Sequence, residues 1–91
     1  MNTQFKAARA ENYRVSDRSA ADIRYLVIHF TANDGDTAKN NADYFAREAP
    51  GVSAHFFVDE KEIWQSVSEK DIAWHCGTRG MYFHPYCRNA N

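Results

Sequence analysis

The run Ile23-Arg24-Tyr25-Leu26-Val27-Ile28-His29-Phe30 constrains the fold more than any other stretch of the chain. It is rich in β-branched and aromatic residues, and both alternating sets are apolar: Tyr25 and Val27 on one side, Leu26, Ile28 and Phe30 on the other. A strand with one wet face alternates apolar with polar, so this pattern predicts a central strand covered on both faces. The fold class expected from it is α/β, a mixed β-sheet flanked by helices. With 91 residues, the chain is shorter than the ~100–200 residues of a usual domain, which excludes two domains. Such a chain buries only roughly 60–65% of its unfolded surface, so its core is small. An apolar share of 44% against 25% charged is a globular balance and not that of a disordered chain.

Residues 1–22 read as a polar N-terminal arm, with Phe5, Tyr13 and Val15 as its apolar surface, ordered only where it packs on something. Residues 23–91 carry the folded part. After the first strand, Thr31-Ala32-Asn33-Asp34-Gly35-Asp36 supplies turn residues, and Asp36 or Thr37 is suited to cap a helix. Ala38, Ala42, Phe45 and Ala49 recur at helical spacing and predict a helix to Glu48, stopped by Pro50-Gly51. Residues 54–58 and 62–67 read as two strands joined through Asp59-Glu60-Lys61, a hairpin loop built on a type I turn. Residues 71–80 read as an ordered surface loop with glycine hinges.

Eleven basic residues against twelve acidic ones leave a net charge of −1, which offers no footprint for a phosphate backbone, so no nucleic-acid partner is expected. The longest apolar run, Tyr25–Phe30, is far short of the ~20 residues a bilayer span needs. The amino terminus lacks the apolar stretch of a secretory signal, so synthesis in the cytoplasm is expected. Cys76 and Cys87 are suited to a small disulfide loop, to a reduced state or to a metal, and the sequence does not choose.

His29 stands at the carboxyl end of an otherwise apolar strand, the place where open α/β sheets bind ligands. A neutral imidazole there suits zinc, and equally suits a buried histidine satisfied by a backbone carbonyl. His55, between Ala54 and Phe56, reads as a core histidine or one that supports a site from behind. His75, flanked by Trp74 and Gly77 on a loop, suits a sugar or peptide ligand. His75, Cys76, His84 and Cys87 together suggest a small structural zinc site, although their spacing lacks a Cys-x₂-Cys knuckle. No phosphate-binding loop, nucleophile elbow or His-Glu-x-x-His is present.

Taken together, Tyr25-Leu26-Val27-Ile28-His29-Phe30-Thr31-Ala32-Asn33, Val52-Ser53-Ala54-His55-Phe56-Phe57-Val58, Glu62-Ile63-Trp64-Gln65 and Ala73-Trp74-His75-Cys76-Gly77 resemble the type 2 zinc-dependent N-acetylmuramoyl-L-alanine amidases, which share a fold with peptidoglycan recognition proteins. The resemblance runs from about Ile23 to Asn91. It implies a peptidoglycan hydrolase that cleaves the amide between N-acetylmuramic acid and the L-alanine of the stem peptide, in cell-wall turnover or as a phage or prophage endolysin. It carries the first zinc ligand onto His29, and substrate-groove positions onto Thr31, Trp74 and His75. Where some members place an aromatic hydroxyl before the second-strand histidine, this chain has Ala54. The resemblance puts the catalytic carboxylate, a second histidine and a third zinc ligand beyond Asn91, so the chain looks like the amino-terminal part of an amidase domain.

A zinc ion with three protein ligands and one open position lowers the pKa of its water and polarises a carbonyl, and the family mechanism follows from this. The expected partners are peptidoglycan or a muropeptide, together with a carboxyl-terminal remainder or a second copy of the chain. The expected place of action is the cell wall, reached through phage lysis or non-classical export. Two other functions are compatible with the residues: a non-catalytic muropeptide-binding module, and a small structural zinc or disulfide module around His75, Cys76, His84 and Cys87.

Overall fold

The computed structural model describes residues 2–29, 35–76, 87 and 89. Among these described residues, five short strands, two 3₁₀ turns and one helix follow in the order β1 (Thr3–Phe5), a turn at Ala10–Asn12, β2 (Tyr13–Arg14), a turn at Ala20–Asp22, α1 (Ala38–Arg47), β3 (Phe56–Val58), β4 (Ile63–Gln65) and β5 (Ile72–Ala73). β4 lies between β1, which runs parallel to it, and β3, which runs antiparallel, so the sheet is mixed. β2 and β5 form a separate antiparallel pair, Tyr13 opposite Ala73 and Arg14 opposite Ile72. The architecture is the expected mixed α/β one.

The helix forms where its cap and its small residues allow. Thr37 Oγ1 accepts from the Asn40 amide at 3.0 Å, which satisfies one of the four amides an α-helix leaves open at its start. Asp59 Oδ2 takes a second, the Ala38 amide, at 2.9 Å. The other oxygen of Asp59 accepts from the amides of Lys61 (2.8 Å) and Glu62 (2.7 Å), so one carboxylate both closes the β3–β4 loop and ties it to the helix. These three amides, that of Ala38 first, hold the Asp59 carboxyl below its ordinary pKa. Ala38 and Ala42 are buried and let α1 settle onto β3 and β4, and Phe45 stacks on Phe57 with ring centroids 5.3 Å apart.

The arm is built into this core. The amides of Lys6 and Ala8 donate to the carbonyls of Gln65 and Ser66, each at 2.9 Å, and so extend the β1–β4 pairing. Ala8, Val67 and Ala73 form the buried cluster, with Tyr13 and Phe45 packed against it. Asn12 is fully buried. Its Nδ2 donates to the carbonyls of Phe45 (2.9 Å) and Glu48 (2.8 Å), and its Oδ1 accepts from the Gly51 amide (3.1 Å). A residue of the arm thus satisfies carbonyls that the end of α1 leaves open.

One sequence expectation is corrected. None of residues 23–29 belongs to a strand, and Phe30 lies outside the described residues. Leu26 and Ile28 are 88% and 86% exposed, so the segment is not covered on both faces. β4, between β1 and β3, has no free edge for it. The hairpin is also shorter than predicted, with His55 just before β3, and the expected surface loop begins with the strand residues of β5. No helix among the described residues is long and apolar enough to cross a membrane.

Candidate functional site

Between residues 23–29, the start of α1 and β3 lies a cleft of about 480 Å³, lined also by His55, His75, Cys76 and Cys87. A second recess carries Trp74 and Phe45 together with His29 and His75. Two of the histidines singled out in the sequence, His29 and His75, therefore meet. His29 is exposed, its Nε2 lies 3.1 Å from Nδ1 of His75, and the rings stand edge to face, 5.2 Å between centroids. The ring of His55 is 5.9 Å from that of His75.

Burial lowers the pKa of His75 to about 4, with the neighbouring His29, His55 and Arg18 adding to the effect. His75 is thus uncharged at neutral pH, and a single proton lies between its Nδ1 and Nε2 of His29. Whichever ring holds it, the hydrogen bond occupies Nε2 of His29, one of the two ring nitrogens that can bind a metal. A metal at His29 Nε2 must displace His75.

The backbone around His75 is held from two sides. Asn89 Oδ1 accepts from the amides of His75 (2.9 Å) and Cys76 (2.7 Å). The Trp74 amide donates to Ser53 Oγ at 3.1 Å, and the Ser53 amide donates to the Trp74 carbonyl at 2.9 Å. Cys76 Sγ is 3.7 Å from Cys87 Sγ and 3.7 Å from His75 Nδ1. Burial and the adjoining Cys87 push the Cys76 thiol up to about 11.

His55 has a different job. Its Nε2 lies 2.9 Å from the Asp71 carbonyl and 3.2 Å from Arg18 Nη2. Arg18 Nη2 reaches the same carbonyl at 3.2 Å, Arg18 Nε donates to the Glu69 carbonyl at 3.0 Å, and Arg18 Nη1 to that of Asn89 at 3.4 Å. Neither Arg18 nor Asn89 was singled out in the sequence, where each stands in a polar stretch without periodicity. Thr31 and His84 lie outside the described residues.

Among the described residues, no group of three or more His, Cys, Asp or Glu side chains is placed to hold a metal ion. His29 is suited to serve as one zinc ligand, but with His75 on its Nε2 the described residues do not complete a site.

The fold and the cleft define an α/β chain with a histidine pair at a solvent-accessible mouth. A family profile described as N-acetylmuramoyl-L-alanine amidase matches residues 19–91, and the chain belongs to that family. It is 34% identical to the N-acetylmuramoyl-L-alanine amidase CwlL of Bacillus licheniformis over 78% of its own length and 21% of the relative's. It is 34% identical to the amidase AmiD of Escherichia coli over 74% of this chain and 27% of that protein. It is 30% identical to the endolysin PlyTW of Staphylococcus phage Twort over 86% of this chain and 18% of that protein. The chain thus spans about a fifth to a quarter of the length of these relatives. No solved structure matches it.

Proposed function

We propose that this chain is the amino-terminal part of a zinc-dependent peptidoglycan hydrolase that cleaves the amide bond between N-acetylmuramic acid and the L-alanine of the stem peptide. The observation that carries the reading is the family match over residues 19–91, within which His29 stands exposed at a cleft. In this proposal His29 is a zinc ligand, the other ligands and the proton-transferring carboxylate lie outside the described residues, and Trp74, His75 and Thr31 contact the muropeptide. When bound, zinc supplies an activated water and polarises the scissile carbonyl. The residues of this chain bind and orient. The uncharged His75 accepts or donates a hydrogen bond without attracting a counter-ion, the Trp74 ring offers an apolar face, and Asn89 and Ser53 hold the backbone beneath both.

A further polypeptide segment, either a carboxyl-terminal remainder or a second copy of the chain, is part of the same proposal. It is supported by the apolar side chains of Leu26 and Ile28 that stand in solvent. The place of action in this proposal is the cell wall.

The test is the release of free L-alanine amino groups from purified cell walls by a polypeptide that contains this chain, with and without zinc. Release that depends on zinc and disappears in His29→Ala is the expected result. Muropeptide binding without release would favour a binding module, a reading to which the hydrogen-bonded state of His29 lends support.

A further inference from the structure

We propose that Cys76 and Cys87 are a redox site, a thiol pair that a disulfide-carrying oxidant converts into an intrachain disulfide and a thiol reductant reopens. The two sulfurs are 3.7 Å apart and both residues are half-buried, in contact with each other and within reach of a small reagent. A disulfide bond of 2.03–2.05 Å asks the sulfurs to approach by about 1.7 Å more.

What makes the pair more than two neighbouring thiols is the backbone that holds it. Asn89, two residues after Cys87, accepts from the amides of both His75 and Cys76 through one oxygen. Arg18 in turn donates to the Asn89 and Asp71 carbonyls. The chain at Cys87 is therefore pinned to the chain at Cys76 by contacts independent of sulfur. Such pinning raises the effective concentration of one thiol at the other.

The chemistry balances with a disulfide such as oxidised glutathione as co-reactant. One cysteine thiolate attacks the reagent and expels one glutathione thiolate, which leaves a mixed disulfide. The second cysteine sulfur attacks the first, the new S–S bond forms, and the second glutathione leaves. Two electrons pass to the reagent, and the two protons of the cysteines go to the departing thiolates. The thiol state is expected in a reducing cytosol and the disulfide in an oxidising space outside it. Because Cys76 Sγ also lies 3.7 Å from His75 Nδ1, oxidation removes an S–H group from beside the histidine pair. The inference does not rest on the hydrolase reading.

The experiment equilibrates the chain with reduced and oxidised glutathione, quenches it with acid and an alkylating reagent, and maps the products by mass spectrometry, in buffer and again in urea. The expected product in buffer is a monomer lighter by two hydrogen atoms, with the peptides of Cys76 and Cys87 linked, reopened by dithiothreitol. The ratio of intrachain to mixed disulfide should be at least about tenfold higher in buffer than in urea, because folding supplies the effective concentration. Cys76→Ser and Cys87→Ser should each leave a glutathione adduct on the remaining cysteine. Should a variant fail to fold, the comparison of the unaltered chain in buffer and in urea still decides. Equal ratios in the two solvents, adducts that persist in buffer, disulfides between chains at high dilution, or thiols inert in buffer would each overturn the proposal.

Discussion

Asn12 and Glu48 are joined by a 2.8 Å hydrogen bond across 36 residues of sequence, the buried amide of the arm donating to the carbonyl that follows the helix. The same side chain also bonds Phe45 and Gly51, so removing it takes a partner from the Glu48 carbonyl and the Gly51 amide at once, while the Phe45 carbonyl keeps the Arg9 amide. Asn12→Ala should cost about 1–3 kcal/mol, the penalty for buried donors and acceptors left without partners. The melting temperature should fall by about 4–8 °C for each kcal/mol lost. Thermal unfolding followed by circular dichroism checks it, and an unchanged midpoint would mean that the arm does not support α1.

Asp59 predicts an acid-sensitive link between hairpin and helix. Its folded-state pKa is depressed by the amides of Ala38, Lys61 and Glu62, so its contribution to stability is complete above the unfolded value of about 4. It is lost as the pH falls through the lower folded value. Asp59→Asn should therefore be less stable than the parent at neutral pH, and the difference should shrink as the solution is acidified towards pH 2. Urea unfolding at a series of pH values is the measurement. A difference that does not change with pH would show that the charge of Asp59 is not what the three amides recognise.

Ala42 has no exposed surface on the face of α1 that meets the sheet. Ala42→Leu adds three carbons where no space is left and should destabilise the chain by about 1–3 kcal/mol through overpacking. Ala49→Leu, at an exposed position just past the helix, should stay within about 0.5 kcal/mol of the parent. Equal effects at both positions would mean that α1 is not seated on β3 and β4 as described.

The helix and the hairpin were legible because their signals are local: the Thr37 cap, the spacing of Ala38, Ala42 and Phe45, the stop at Pro50-Gly51, and a short loop headed by Asp59. The arm was not. Thr3, Gln4 and Phe5 are all exposed, and they join the sheet through backbone bonds that carry no side-chain pattern. Arg18 acts on a carbonyl 71 residues away, a relationship that no periodicity encodes. The misreading of residues 23–29 has a related cause. Two apolar sides say that a segment favours burial, but not which strands will pair with it, and here β1 takes the edge of β4. Around the cleft and the second recess, His29, Trp74 and His75 were marked by residue type and by resemblance. Their convergence, and the hydrogen bond that ties His29 to His75, came only with the fold.

That hydrogen bond makes a prediction about metal. In a chelator-treated polypeptide that contains this chain together with the remaining ligands, His29→Ala should abolish the binding of one zinc ion measured by calorimetry. His75→Ala should tighten it, because the metal no longer has to break a bond worth about 0.5–1.5 kcal/mol, a gain of roughly twofold to tenfold. Weaker binding in His75→Ala would instead make His75 a zinc ligand, and indifference to His29→Ala would remove His29 from the metal site altogether.

The exposed side chains of residues 23–29 lead to the last prediction. Leu26 and Ile28 are 88% and 86% exposed, on a segment whose composition favours a strand. Apolar extended segments of this kind pair with other chains unless charge or cover prevents it. Burying one large apolar side chain is worth roughly 1.5–3 kcal/mol, so burying both from each of two chains contributes about 6–12 kcal/mol, which offsets much of the cost of association and favours pairing as the concentration rises. The isolated chain should therefore show a mass above that of the monomer in size-exclusion chromatography with light scattering, rising with concentration. The double variant Leu26→Lys, Ile28→Lys should run as a monomer with a melting temperature close to that of the parent at high dilution, because neither side chain contributes to the core. A concentration-independent parent monomer would show that the segment is protected in some other way. A double variant that loses its fold would show that Leu26 and Ile28 are buried in solution.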